Sequence, residues 1–362
     1  MSGSRLQDRF SCSSFCSDQS QDNKSIPNVV RFDGETSPWL TTYNDRKLGQ
    51  GSFGSVYLGE YNEGQASSLV AVKFSNNSDD DSSQVEYSIL NALKEKKSPY
   101  LVNLINYRCD DGQSIMVIDY MPKGSLGDFI DSHSSCSWKK RFQILVDSIS
   151  GLSDMHEMGY LHRDIKPDNV LLNPSLRAKL CDFGVSCKEG TDEANEIAGT
   201  PLTAAPEVLN GAAESSEMRC TRKSDIYSFG VVLLEVAIWS RESTPRLEGT
   251  ITKALFDEFA SAWLLRLQIL NQMAEDLCPT DIAHLIRDCT QEDSKSRPAV
   301  EKVRDRLIGM SKIHGEVRQV FFNRQSELSK LGYDTTKGAS CGGIAGLIRE
   351  YAEEEKYSPR LK

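Results

Sequence analysis

The sequence predicts an α+β protein in which a β-rich part is followed by a mostly helical part. Short alternating apolar runs, separated by Gly, Asn and Ser turns, begin near Tyr43 and predict strands. Beyond Gly124 the apolar residues recur mostly at helical spacing, through about Ile313. The 362 residues are 39% hydrophobic and 26% charged, which is the composition of an ordinary globular protein.

The β-rich part is predicted to be an antiparallel sheet with one inserted helix. Residues 55–58 and 69–72 are strand-like, and strand-like runs resume at 101–107 and 114–120. Between them, residues 79–97 begin with three aspartates and end with lysines, a charge order that favours a helix through its dipole.

The helical part contains the long apolar run 229–239, which predicts a helix buried at its centre. Glu235 interrupts this run, which is shorter than the ~18 apolar residues needed to cross a bilayer. The N-terminus has no apolar signal region, so an intracellular location, cytoplasmic or nuclear, is expected. The net charge of −10 argues against nucleic acid as a partner.

The two ends of the chain differ from its middle. Residues 1–42 are rich in serine with little apolar periodicity, which predicts a flexible segment. Residues 313–362 form a C-terminal extension whose pattern assigns no role. The ten cysteines lack CxxC pairs and are interpreted as mostly free thiols.

A glycine-rich run, LGQGSFGSV at residues 48–56, is the first candidate site. Its glycines allow backbone amides to approach phosphate oxygens. A strand rather than a helix follows Gly54, which disfavours a dinucleotide-binding turn, and Ser55 stands where a Walker loop needs lysine. A plain glycine-rich hairpin remains open from this run alone.

Two charged residues in the β-rich part suggest an ion pair. Lys73 ends the apolar run 70–72, from which a long cation can reach bound phosphates. Glu86 lies beside the inward apolar stripe of the predicted helix and therefore needs a cationic partner. Lys73 is the available partner.

The strongest signal is the loop HRDIKPDN at residues 162–169, which precedes a short apolar run. Asp164 in this loop can accept a proton. Asp182 follows 18 residues later, after a strand-like run, where its carboxylate can hold a magnesium ion.

Together these motifs resemble the eukaryotic-type protein kinase family, over roughly residues 43–312. The resemblance implies the bilobal kinase fold, with a β-rich N-lobe at 43–121 and a mostly α-helical C-lobe at 122–312. It implies Asp164 as catalytic base, Lys166 beside the transferred phosphate, and a Lys73–Glu86 pair. Asn169 and Asp182 are implied ligands of Mg²⁺.

The same resemblance implies an ATP site. Its residues would come from the glycine-rich loop, the adenine roof and the hinge, together with the metal ligands: Leu48, Gly49, Gly51, Ser52, Phe53, Gly54, Val56, Ala71, Lys73, Asp119, Tyr120, Met121, Asn169 and Asp182. Ile118 would be the gatekeeper. Glu207 would pair with Arg297, and Asp225 would open the buried helix.

Lys166 and Thr200 resemble the residues of serine/threonine kinases, so the expected partners are protein substrates with Ser or Thr acceptors. The buried-helix motif resembles the tyrosine-kinase-like group. An activating kinase or autophosphorylation is expected to act on Ser186 or Thr191, near Arg163. The alternatives are a pseudokinase or scaffold acting through binding, and a metabolic small-molecule kinase.

Overall fold

The computed structural model of the chain describes residues 27–32, 38–51, 54–75, 81–110, 113–210, 220–239 and 280–313. The chain divides into two compact units, residues 1–310 and residues 311–362. Nearly all the described residues belong to the first unit, which contains both the sheet and the helices.

A six-stranded antiparallel sheet with one inserted helix forms the N-terminal part, as the sequence predicts. Its order is β1-β2-β3-β4-β6-β5. The strands are β1 Val29–Arg31, β2 Trp39–Gly51, β3 Gly54–Glu63, β4 Ala66–Ser75, β5 Leu104–Asp110 and β6 Gln113–Asp119. The inserted helix is α1, Asp81–Lys94, within the predicted range 79–97.

Strand β1 shows that the sheet begins earlier than expected. Residues 29–31 pair with residues 39–41 of β2, and Val30 is buried in the apolar cluster that includes Leu40 and Tyr61. Residues 27–32 and 38–42 therefore belong to the fold, although the sequence assigns them to a flexible segment. The alternation of this short strand is too brief to be distinguished from the serine-rich chain around it.

The helical part is organised around one buried helix. The helices are α2 Leu126–Ser132, α3 Trp138–Glu157, α4 Pro206–Asn210, α5 Arg222–Ile238, α6 Thr280–Cys289 and α7 at 300–313. Helix α5 begins at a capping box on Thr221 and is buried along nearly its whole length. This confirms the prediction from the apolar run 229–239, which includes the C-cap Trp239.

Two small sheets between these parts position the candidate site. Strands β8, Val170–Leu172, and β9, Ala178–Leu180, form an antiparallel hairpin. Strand β7, Tyr160–Leu161, pairs with β10, Cys187–Lys188.

Within the described ranges, no helix is both long and apolar enough to cross a membrane.

Candidate active site

The central strand β4 brings Lys73 to the inner face of the sheet. Gly49 of β2, Val56 of β3 and Lys73 of β4 lie in one cross-strand row. Ala71 shares the Lys73 face because side chains of a strand alternate with a period of two residues. It pairs with the predicted gatekeeper Ile118 of β6. The sheet register thus groups residues from separate sequence motifs on one surface.

Lys73 makes the ion pair that its position suggests. Its Nζ lies 2.5 Å from Oε2 of Glu86 on α1 and 3.8 Å from Oδ1 of Asp182. Burial alone would lower the pKa of Lys73, but the carboxylates of Glu86 and Asp182 outweigh it and raise that pKa above its ordinary value. Lys73 is therefore a permanent cation near Asp182.

The glycine-rich loop is the turn between β2 and β3. Gly54 has φ of +154°, and a Cβ there would collide with the carbonyl oxygen of Phe74, so only glycine fits. Leu48 is 43% exposed on the preceding strand. Ser52 and Phe53, which the resemblance assigns to the nucleotide, lie outside the described residues.

The predicted hinge, residues 119–121, begins at the last residue of strand β6. Asp119 is the last residue of this strand, and Tyr120 and Met121 connect it to the helical part. Met121 is buried, whereas Asp119 and Tyr120 are half-buried. The backbone N–H of Asp119 donates to the carbonyl of Asn103, at 3.2 Å.

The loop 162–169 is held in place by Asp225, which lies near the start of α5. The carboxylate of Asp225 accepts hydrogen bonds from the backbone N–H groups of His162, at 3.0 Å, and Arg163, at 2.9 Å. It also contacts Nε2 of His156 at 2.9 Å. Burial would raise the pKa of Asp225, but these contacts lower it, so the anchor is ionised.

Asp164 is surrounded by a cation and a hydroxyl. Its Oδ2 lies 2.8 Å from Nζ of Lys166, and Oγ1 of Thr200 donates to its Oδ1 at 2.7 Å. Lys166 also donates to the Thr200 hydroxyl, at 2.8 Å. Burial opposes ionisation of Asp164, but Lys166 and Thr200 outweigh it and hold the pKa of Asp164 below its ordinary value.

The β8–β9 hairpin brings Asn169 and Asp182 side by side. Val170 pairs with Leu180, and the next residue, Cys181, donates its N–H to the Asn169 carbonyl at 3.0 Å. Nδ2 of Asn169 donates to the backbone carbonyl of Asp164, at 2.8 Å, and to its carboxylate. The amide oxygen of Asn169 is then the group that can face a cation.

Two residues of the site adopt the left-handed backbone conformation, although neither is glycine. Arg163 has φ of +67° and Asp182 has φ of +64°. Such conformations cost about 1–3 kcal/mol each and persist only where the surroundings enforce them. At Arg163 the backbone N–H is held by the carboxylate of Asp225, and Asp182 lies two residues after the end of β9.

The segment after Asp182 is ordered by contacts with Arg163. The guanidinium of Arg163 donates to the carbonyls of Val185, at 3.0 Å, and Glu196, at 2.7 Å. Ser186 is buried and donates to the carbonyl of His162, whereas Thr191 is half-buried. Of the two predicted phosphorylation sites, only Thr191 is reachable in this conformation.

Arg297 holds Glu207, at the end of the segment that follows Asp182. Its guanidinium donates to both carboxylate oxygens of Glu207, at 2.6 Å and 2.8 Å. The Arg297 side chain is fully buried, with 0% exposure. The pairing that the resemblance implies between these two residues is present.

The cysteines of the described ranges are free thiols, as expected from their spacing. Burial raises the pKa of Cys181, which directly precedes Asp182, well above its ordinary value. Its thiol is therefore a poor nucleophile at neutral pH, which favours a structural role.

Sequence reasoning missed two contacts of this site. The pairing of Asp225 with His156 lies outside every motif, since the two residues are 69 positions apart. Thr200 was singled out as a marker of acceptor type, but not as the residue that bridges Asp164 and Lys166 from 36 positions away. No local pattern announces either contact.

Comparison with known proteins agrees with this geometry. The family profile described as "Protein kinase domain" matches residues 43–307. The chain belongs to the protein kinase family, whose members are phosphotransfer enzymes. Membership implies ATP, a divalent metal ion and protein substrates. Three relatives from Arabidopsis thaliana show how broadly the similarity extends.

The chain is 30% identical to "Cysteine-rich receptor-like protein kinase 2" over 72% of its own length and 42% of that protein. It is 35% identical to "Calcium/calmodulin-regulated receptor-like kinase 1", over 52% of the chain and 42% of the relative. It is 36% identical to "Probable serine/threonine-protein kinase PBL17", over 61% and 52%. The chain thus spans about half or less of these relatives.

Proposed function

We propose that this chain is a serine/threonine protein kinase that transfers the γ-phosphoryl group of ATP to Ser and Thr hydroxyls of protein substrates. One observation carries the proposal: Asp164 is held ionised while a hydroxyl, that of Thr200, donates a hydrogen bond to it. An acceptor hydroxyl in the same relation to Asp164 would be oriented, and its proton would pass to this carboxylate.

Lys166 would supply positive charge beside the transferred phosphoryl group, and Lys73 would supply it beside the other ATP phosphates. Lys166 lies 2.8 Å from Asp164, so its ammonium would neutralise charge near the transferred group. Lys73 would contact the ATP phosphates from the sheet side, and Glu86 would hold it in position. Phosphoryl transfer depends mainly on such positioning and charge neutralisation.

The residues near Asp182 fit a magnesium ion. Asp182 and Asn169 supply a carboxylate and an amide oxygen, the ligand chemistry that Mg²⁺ prefers. No cluster of three or more His, Cys, Asp or Glu side chains suited to a metal occurs in the described ranges, but Mg²⁺ needs only one or two protein ligands beside phosphates and water. When bound, the ion would neutralise phosphate charge.

The remaining nucleotide contacts of this proposal come from the glycine-rich loop, Ala71 and the hinge 119–121. The expected bounds of the kinase domain, 43–312, extend at the N-terminal end to include β1 and the first residues of β2, which pair within its sheet. Residues 313–362 have no assigned role. An intracellular location, cytoplasmic or nuclear, belongs to the same proposal. Because several relatives are named receptor-like kinases, imaging of the tagged chain should test for a membrane-associated pool.

We also assign Thr191 as the activating phosphorylation site, modified by another kinase or by autophosphorylation. Ser186 is 2% exposed, so a kinase could reach it only after the segment opened. Mapping phosphates on the active protein tests the assignment. Thr191→Ala should lower kcat, and Thr191→Ser, which keeps a hydroxyl that can be phosphorylated, is the matched control. Full activity of Thr191→Ala would refute it.

The enzymatic proposal is tested with labelled ATP, magnesium and a mixed Ser/Thr/Tyr peptide acceptor. Wild-type protein should label Ser and Thr. Lys73→Met and Asp182→Asn should lower turnover by more than about 10³-fold, because each removes charge stabilisation of the transferred group.

The matched control is Lys302→Met, the same replacement at an exposed lysine of α7. It should retain wild-type turnover. Labelling of tyrosine alone would contradict the acceptor assignment. Nucleotide binding without any labelling would favour the pseudokinase or scaffold alternative.

A further inference from the structure

A carboxylate at the hinge accepts three hydrogen bonds through one oxygen. Oδ2 of Asp119 lies 2.6 Å from Nζ of Lys179, 2.8 Å from Nδ2 of Asn103 and 3.0 Å from the Asn103 backbone nitrogen. The side chains of Lys179 and Asp119 are only 20% and 25% exposed. We call these three residues the hinge cluster.

The hinge cluster joins three separate parts of the molecule. Asn103 lies in the connection between α1 and β5, Asp119 ends β6 at the hinge, and Lys179 is the middle residue of β9. Lys179 precedes Asp182 by only three residues. The cluster therefore links the start of the hinge to the strand that carries the proposed metal ligand.

Backbone hydrogen bonds next to the hinge cluster connect the same segments of the chain and restrain their relative positions. Leu180 of β9 accepts a hydrogen bond from Val102 at 2.9 Å and donates one to Tyr100, also at 2.9 Å. The N–H of Asp119 donates to the Asn103 carbonyl at 3.2 Å. Replacing the Lys179 side chain leaves all of these backbone hydrogen bonds in place.

We propose that Lys179 and Asn103 are positioning residues for ATP, which act through Asp119. They hold the hinge at a set distance from Asp182, so the adenine and phosphate ends of the site are correctly spaced before ATP arrives. A preorganised site binds more tightly because less ordering is needed on binding. This inference rests on the proposed nucleotide site.

The structure also indicates the direction of the effect. The hinge cluster is formed while Lys73 contacts Glu86 at 2.5 Å and Asp182 at 3.8 Å, so it belongs to the assembled site. Neither Lys179 nor Asn103 contacts the groups around Asp164 in the described hydrogen bonds. Loss of the cluster should weaken ATP binding and leave the chemical step largely unchanged.

The test replaces Lys179 with methionine in the full chain. The Kd of Mg-ATP, measured by calorimetry, and the KM for ATP should both rise about tenfold, the low end of the loss expected for a charge-assisted hydrogen bond, because both side chains keep partial exposure. The KM for peptide and the kcat at saturating ATP should stay within about twofold of wild type. A merely structural role would lower thermal stability without this selective change.

Two further variants sharpen the test. Lys179→Arg keeps a cation that can donate to Asp119 and should restore ATP affinity to within about twofold of wild type. Lys302→Met, the matched control on α7, should leave ATP affinity unchanged. In a double-mutant cycle, Asp119→Asn should add little once Lys179→Met is present, because both variants remove the charge pairing between these two side chains.

Three results would overturn the inference. These are an unchanged Kd in Lys179→Met, a loss confined to kcat, and tighter binding with higher turnover, which would make the cluster a restraint. Because Kd is measured without turnover, a wild-type chain that binds Mg-ATP but transfers no phosphate would refute the proposed function and still test the cluster. A wild-type chain that binds no nucleotide would overturn both.

Discussion

Replacing Arg297 with methionine should destabilise the helical part strongly. Its buried guanidinium makes two hydrogen bonds to Glu207 and donates to three backbone carbonyls, at 2.7 Å, 3.0 Å and 3.0 Å. It also lies 4.9 Å from the centre of the Tyr227 ring. Methionine fills similar space but leaves these acceptors without their donor.

The magnitude follows from the burial of the two partners. Breaking a fully buried ion pair from one side costs about 3–5 kcal/mol. Glu207 has a 27% exposed side chain and can regain some hydration, which favours the lower end, about 3 kcal/mol. For a domain of this size, that loss lowers Tm by roughly 6–12 °C.

Scanning calorimetry and urea unfolding at pH 7 would measure this loss. Arg222→Met is the matched control, because Arg222 and its ion-pair partner Glu189 both have exposed side chains, at 44% and 39%. The control should lose less than about 1 kcal/mol. The double variant Arg297→Met, Glu207→Leu should recover part of the stability, since both charges are then absent.

A Tm shift in Arg297→Met no larger than that in Arg222→Met would contradict this prediction. So would a double variant that is less stable than Arg297→Met alone. Either result would mean that Glu207 does not depend on its arginine partner. A loss of kinase activity in Arg297→Met at temperatures below its Tm would additionally indicate that this anchor orders the segment that ends at Glu207.

Three further predictions concern other parts of the structure. The guanidinium of Arg141 lies 4.8 Å and 4.7 Å from the ring centres of two tryptophans and donates to two carbonyls in the last turn of α5. Arg141→Lys should lower the free energy of unfolding in urea by about 2 kcal/mol, and an unchanged unfolding midpoint would contradict this. Tyr107 stacks on Tyr87, the residue after Glu86 on α1, with ring centres 3.8 Å apart. Tyr107→Ala should lower turnover several-fold, because Glu86 would then be held less firmly beside Lys73. A loss of stability without a loss of turnover would refute this connection. Burial lowers the pKa of His162 below 6.5, so the unfolded chain binds its proton first and stability should fall below about pH 6.5, by at most about 1.4 kcal/mol per pH unit. His162→Gln should flatten this dependence in thermal melts from pH 7.5 to 5.5, and an equally steep profile would show that other groups cause it.

The sequence predicted the order of the elements well because that order is local information. Alternation and helical spacing place β3, β4, α1 and α5 near their observed positions. Strand β1 escaped prediction because three residues show too little alternation, and it forms only by pairing with β2. Its existence depends on a neighbour rather than on its own composition.

The residue types of the candidate site were also readable from the chain. Glycines at the turn, Lys73 at a strand end and carboxylates after short strands each have a local chemical reason to be there. The resemblance then joined these motifs into one expected site. Apart from Ser52 and Phe53, the described residues include all of its predicted members.

What only the tertiary structure decided are the contacts that set charge and position. Asp225 reaches the loop of Asp164 from about 60 positions away, and Lys179 meets Asp119 across 60 positions. Residues this distant meet only because the sheet, the β8–β9 hairpin and α5 pack together, and packing has no local signature in sequence. The sequence by itself determined which groups the site contains, and the packed fold determined which of them are ionised, oriented and held together.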